Sequence, residues 1–195
     1  TLTTTTSLSL RKNEPQIRHR HPIIAGNWKC NPSTIQEATT LLTELAQKYY
    51  SLVQQNNNSD DEAQQKEVVI FPPMAYLGLA ISLLKDTGIK VGCQNISCIQ
   101  NNNHESSSSS SKSSGAFTGE VTASMIGSMG CQYVMIGHSE RRTLFQEDDD
   151  MIHNKIVSVL EQTSSNNLKI ILCIGETEKE VDFSSTVLQY QIQKA

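Results

Sequence analysis

No stretch of this chain approaches the roughly 18 uninterrupted apolar residues of a membrane span, so no transmembrane helix is expected. Basic charge is also in short supply. Lys and Arg number 16 against 20 Asp and Glu, a net charge of −4, which argues against a nucleic-acid-binding face. Apolar residues (37%) and charged residues (18%) both run low for a globular chain, which predicts that part of the 195 residues stays outside the packed core. The five cysteines form an odd set in a chain without a signal-peptide pattern, and lie mostly within or beside apolar runs. They read as reduced, buried thiols rather than disulfides. Cys93 and Cys98 have a C-x4-C spacing with His104 nearby, but the second ligand pair of a zinc site is missing, so no metal is expected. Sequons at Asn57 and Asn95 read as chance, since nothing points to secretion.

Three stretches lack the apolar content to order themselves. Residues 1–21, "TLTTTTSLSLRKNEPQIRHRH", are rich in Thr and Ser and contain one acidic residue. They match a transit peptide or a disordered extension. The expected compartment is therefore cytoplasmic, or a plastid or mitochondrion if these residues are a transit peptide. "QQNNNSDDEAQQKE" (54–67) and "QNNNHESSSSSSKSS" (100–114) read as polar insertions within one domain, 22–195.

With those segments set aside, a rhythm appears. Apolar runs occur at Pro22–Trp28, Glu67–Pro73, Ile89–Ile96, Tyr133–Gly137 and Leu168–Glu176. Helical patterns separate them. The first opens on an S-x-x-Q capping box, Ser33 and Gln36, with Ile35, Ala38, Leu42, Leu45 and Tyr49 on one face. The second, "MAYLGLAISLLKDTG", ends at Gly88, and a short third closes at Gly130. The fourth, Asp148–Gln162, has acids in its first turn and Ile152, Ile156 and Val159 facing inward. Runs without polar alternation predict strands buried on both faces, hence a parallel sheet in an α/β fold. Periodicity does not decide between a doubly wound sheet and a closed barrel.

Polar groups follow each run at its carboxyl end: Asn27 and Lys29, Gln94 and Asn95, His138 to Glu140, and Glu176. Parallel α/β proteins build their sites along that edge. Lys29 is placed to neutralise an anion. A histidine near a helix start, such as His138, is pushed toward neutral imidazole, which donates a hydrogen bond to a carbonyl oxygen. Taken singly, Lys29 reads equally as a solvated lysine, His138 as a backbone-satisfied histidine, and Glu140 with Arg141 and Arg142 as an ion-pair cluster. These residues alone specify an enzyme-like site for a small anionic substrate.

The segments "AGNWKCN", "VVIFPP", "VGCQNIS", "GAFTGEVTASM", "YVMIGHSERR" and "KIILCIGET" occur in that order. Together they resemble the triosephosphate isomerase family over about Pro22 to Thr177. The resemblance implies a (β/α)8 barrel that interconverts dihydroxyacetone phosphate and glyceraldehyde 3-phosphate through an enediol(ate), in glycolysis and gluconeogenesis, without cofactor or metal. The scheme is the family's and is taken over with the resemblance. His138 corresponds to the electrophile that polarises the carbonyl. Lys29 corresponds to the lysine that holds substrate and offsets enediolate and phosphate charge, and Asn27 to its neighbour in the pocket. Glu140 corresponds to the carboxylate paired with that lysine, flanked by Ser139. Thr118, beside Phe117, corresponds to the threonine that a protruding loop sends into a partner's site, so a homodimer is implied.

The family's catalytic glutamate lies in a later segment resembling "YEPVWAIGTG", which does not occur here, and Glu176 belongs to the upstream "CIGET" match. A barrel of this type needs roughly 250 residues. The expectation is therefore part of a working enzyme, a barrel truncated here after about five β/α units and inactive alone because the base is absent. The alternative is a truncated, non-catalytic form that acts only as a subunit-binding or inactive fragment.

Overall fold

The computed structural model describes residues 22–56, 66–99 and 115–195. The 1–21 extension and the 100–114 insertion, with His104, lie outside the described residues, as does most of the 54–67 insertion. The described ends of that last insertion are not loop. Helix α1, Ile35–Asn56, runs through Gln54, and strand β2, Glu67–Phe71, begins at Glu67.

The other elements are β1 (Ile23–Asn27), α2 (Leu77–Leu84), β3 (Lys90–Cys93), α3 (Ala123–Ser128), β4 (Tyr133–Ile136), α4 (Ser139–Phe145), α5 (Asp149–Asn166), β5 (Lys169–Leu172) and α6 (Ser184–Lys194). The strands form one parallel sheet in the order β1-β2-β3-β4-β5. Each strand after β1 pairs with its predecessor in the sequence. A doubly wound sheet reverses direction at a switch point, whereas a (β/α)8 barrel does not. The order resolves the choice that periodicity left open: these are five successive units of barrel type, with helices between the strands.

Strand pleating sends successive side chains to opposite faces. Val69 and Phe71 of β2 meet Tyr133 and Met135 of β4 in an inner cluster, joined by Ile171 and Cys173. The alternate residues Ile70, Val91, Cys93, Val134 and Ile136 pack outward onto the helices, against Leu42, Leu77, Leu84, Ile126, Ile152 and Val159. Burial on both faces holds for β2, β3 and β4 but not for β1, where Ile23 and Ile24 are about half exposed (46% and 54%). The sheet order explains this, because among the described residues β1 and β5 each have one neighbour.

Two local expectations also need correction. The capping box of α1 lies one residue later than Ser33 and Gln36. Thr34 Oγ1 accepts the Glu37 N–H at 3.2 Å, and Glu37 Oε2 accepts the Thr34 N–H at 3.1 Å. Ile35 is consequently exposed, while Ala38 and Leu42 are fully buried and Leu45 and Tyr49 are packed against the core. Among the cysteines all five are free, but only Cys93 and Cys131 are buried; Cys30 is exposed, and Cys98 and Cys173 are partly covered. Burial pushes the Cys93 thiol up to about 11 and that of Cys131 to about 12. Helix α5 matches its pattern: Asp148 caps it by accepting the Met151 N–H at 2.8 Å, with Ile152 and Val159 buried.

Candidate active site

The carboxyl ends of β1, β3 and β4 meet at one rim. Gly137 ends β4 with φ +78, and a Cβ there would lie 3.0 Å from the Cys173 carbonyl oxygen. A residue without a side chain is therefore needed where the chain turns from strand to helix. His138 follows as the N-cap of α4. Its Nδ1 accepts the Glu140 N–H at 3.3 Å, satisfying one of the free amides at the helix start. With Nδ1 acting as acceptor, the ring proton of a neutral His138 sits on Nε2, the nitrogen not used by the cap.

Glu140, two residues on, meets Lys29 from the end of β1. Lys29 Nζ lies 2.7 Å from Glu140 Oε1, with both side chains about half exposed. The Lys29 ammonium, bonded to Glu140, holds the Glu140 carboxyl below its usual range. His138 Nδ1 is 3.5 Å from the other carboxylate oxygen, so the three side chains form one cluster. Ser139, the first residue of α4, is exposed.

Lys29 adopts a left-handed backbone, φ 53, which is sparsely populated by residues other than glycine. Its N–H is accepted by Asn27 Oδ1 at 2.9 Å, while Asn27 Nδ2 points to Met135 Sδ at 3.7 Å. Gln94, just beyond β3, donates from Nε2 to the carbonyl oxygens of Lys29 and Phe71, both at 2.8 Å.

Not every polar group of "GHSERR" faces this rim. Arg142 Nε donates to the Gly137 carbonyl at 2.9 Å, and its Nη1 pairs with Asp149 at 2.7 Å, tying the strand-end turn to the start of α5. Arg141 stacks over Phe145 and places Nη2 2.6 Å from Glu147 Oε1. That same oxygen lies 2.6 Å from Lys155 Nζ, which also donates to Asn95 Oδ1 at 2.9 Å. Asn95 thus turns away from the rim while Gln94 stays with it. Burial lowers the Lys155 pKa against the pull of Glu147. Neither Glu147 nor Lys155 stands out in the sequence as a site residue. The available signal was a lysine three residues after Ile152 on the inward stripe of α5.

Thr118 and Phe117 sit on a separate exposed turn, closed by Phe117 N–H to Gly115 O (3.0 Å) and Glu120 N–H to Phe117 O (3.1 Å). Ser97 and Val121 pinch its base through Ser97 N–H to Val121 O at 2.8 Å. Phe117 also lines a cleft of about 630 Å³ with Arg141, Glu147 and Lys155.

A sequentially ordered parallel sheet with helices between its strands defines a protein of β/α-barrel type, and its lysine, histidine and carboxylate cluster at the carboxyl rim. Comparison with known proteins gives the family. The family description "Triosephosphate isomerase" matches residues 22–195. Curated proteins of that name are similar: from Aquifex aeolicus (35% identical over 175 residues, 89% of this chain and 59% of that protein), from Klebsiella pneumoniae (37% over 170 residues, 86% and 54%) and from Clostridium novyi (38% over 176 residues, 89% and 58%). The chain belongs to the triosephosphate isomerase family. It spans a little over half the length of the curated relatives that it matches.

Proposed function

We propose that this chain carries the carbonyl-polarising and anion-binding part of a triose-phosphate isomerase site. The observation that carries this reading is the Lys29–Glu140 pair at 2.7 Å beside a His138 whose Nδ1 is already engaged. His138 Nε2–H donates to the substrate carbonyl oxygen and stabilises the enediolate as negative charge develops there. Lys29 offsets that charge and the phosphate's, with Glu140 orienting its ammonium and Asn27 fixing its backbone. The interconverted substrates are dihydroxyacetone phosphate and glyceraldehyde 3-phosphate. The proton moves between adjacent carbons on a carboxylate base that no residue of this chain is assigned to supply, so Thr1–Ala195 alone does not turn over.

Thr118 and Phe117 project toward a second copy, and the exposed Phe117, Leu144 and Phe145 supply apolar surface for such an interface.

The test is titration of the chain with dihydroxyacetone phosphate, followed by NMR, alongside an isomerase assay of protein made in a host without its own isomerase. Shifts at His138 and Lys29 without turnover are expected. Binding that leaves both signals unmoved would overturn the site, and turnover clearly above background would place a base within these residues.

A further inference from the structure

Lys29 poses a physical problem: a β1-end residue with a Cβ is held at φ 53, in a strained region that persists only where the surroundings over-determine it. The groups that fix it can be identified. On its amide side, Asn27 Oδ1 accepts the N–H, but Asn27 is only two residues away on the same chain segment and follows any movement of it. On its carbonyl side stands Gln94, just past the end of β3, half-buried and 65 positions along the chain.

Gln94 Nε2 has two protons and two acceptors. One is the Lys29 carbonyl and the other the Phe71 carbonyl, each at 2.8 Å. Both partners are acceptors, so only the amide nitrogen can face them, and this chemistry fixes the orientation of the carboxamide. Phe71 is fully buried, and its carbonyl also accepts the Trp28 N–H at 3.0 Å. The Phe71 carbonyl is therefore anchored in the β1–β2 ladder, and Gln94 refers the Lys29 backbone to that anchor.

We infer that Gln94 is a positioning residue, whose carboxamide clamps the Lys29 carbonyl to the end of β2 and so holds the Lys29 ammonium against Glu140. The inference rests on the proposed function for its consequence, since a displaced Lys29 binds a phosphorylated triose less well. It does not rest on that reading for its geometry. Without the two donors the Lys29 carbonyl loses its only cross-strand hydrogen bond among the described residues, and the left-handed backbone relaxes.

The experiment uses the full 195-residue chain and the variant Gln94→Met, which keeps the side-chain length but cannot donate. The Glu140 carboxyl is titrated by carbon-13 NMR. In the wild type its midpoint lies below the ordinary value because Lys29 is beside it. In Gln94→Met that midpoint should rise toward the ordinary value. Glu180, lowered by its own bonds to Thr177, serves as the internal control and should stay where it is. Affinity for dihydroxyacetone phosphate should fall about tenfold. An unchanged Glu140 midpoint in a folded variant overturns the proposal. A wild type that does not bind the triose phosphate, with Glu140 still responding to Gln94→Met, sustains the clamp and removes the functional reading instead. If Gln94→Met does not fold, proton exchange at Gln94 Nε2 in the wild type decides. Exchange slower than at exposed Gln146 supports the clamp, and equally fast exchange overturns it.

Discussion

The ring of Phe71 fills the space that a side chain at position 92 would need: a Cβ built on Gly92 would lie 2.2 Å from Phe71 Cε1. Phe71 is fully buried, at 0% accessible surface, and β2 and β3 run in register with Ile70 opposite Val91. The inner face of β3 is thus filled by the ring of the adjacent strand. Gly92→Ala should lower stability by about 1–3 kcal/mol, the usual cost of overpacking a dense core. Chemical denaturation measures it, and Phe71→Ala in the same chain should make the two changes non-additive. Additive losses would show that the ring moves aside freely.

Glu147 Oε1 accepts from both Arg141 and Lys155, while Glu147 Oε2 is buried without a partner among the described residues. Lys155 is 3% exposed and Glu147 2%. Glu147→Ala strands a buried ammonium and should cost about 3–5 kcal/mol. The paired replacement Glu147→Leu with Lys155→Met should recover most of that loss in a urea melt. A double variant as unstable as the single one would mean that the carboxylate acts by packing alone.

A second ionic cluster ties the amino ends of three strands. Tyr133 Oη donates to Glu67 Oε2 at 2.6 Å, and Lys169 Nζ sits 3.1 Å from Tyr133 Oη. Burial opposes ionisation of Glu67, but the Tyr133 hydroxyl and Lys169 outweigh it and lower its pKa from 4.5. Its contribution to stability is therefore present above about 4.5 and lost as pH falls through the lower folded value. The Tyr133 hydrogen bond raises Lys169, and burial with Glu67 raises Tyr133 itself. Those contributions are full below 10.5 and 10.0 respectively and are lost as pH rises through the folded values. Tyr133→Phe should flatten the stability–pH curve on both flanks. Thermal melts across the range test it, and a curve of unchanged shape would remove the cluster from the balance.

Lys29→Met, in the folded chain, should raise the Glu140 titration midpoint, and under the proposed function it should weaken dihydroxyacetone phosphate binding as well, since the same ammonium would serve both anions. Loss of thermal stability with binding intact would leave Lys29 a structural residue. Titration calorimetry and carbon-13 NMR on the same sample separate the two.

At the start of α1 the sequence admits two capping boxes, and hydrogen bonding selects the later one. Thr34→Ala should cost about 1 kcal/mol and Ser33→Ala close to nothing. Equal losses in denaturant would return Ser33 to the cap.

That ambiguity shows what could be read in advance. The strands, their parallel sense and the helices between them follow from runs such as Tyr133–Gly137, because apolar periodicity reports burial directly. The strand order does not follow, since it is a relation between segments rather than a property of one. At the rim, Asn27, Lys29, His138 and Glu140 were legible as residues placed just past apolar runs. The division of labour within "GHSERR" was not. Whether an arginine turns toward the rim or toward α5 depends on Asp149 and Glu147, whose proximity exists only after folding. Gln94 was visible as a strand-end group, but its two acceptors come from other segments of the chain.

Sequential strand order also governs how the sheet can assemble. Among the described residues each strand from β2 to β5 pairs with the strand one unit earlier in the chain, so each has a sequence neighbour to dock on. Contacts stay short in sequence for a parallel sheet, a topology otherwise slow to form because loop closure precedes its reward. Ordering can spread strand by strand from any neighbouring pair. Lys29 and His138 are the exception: the rim exists only once β1 through β4 are all in place, so this site reports completed assembly.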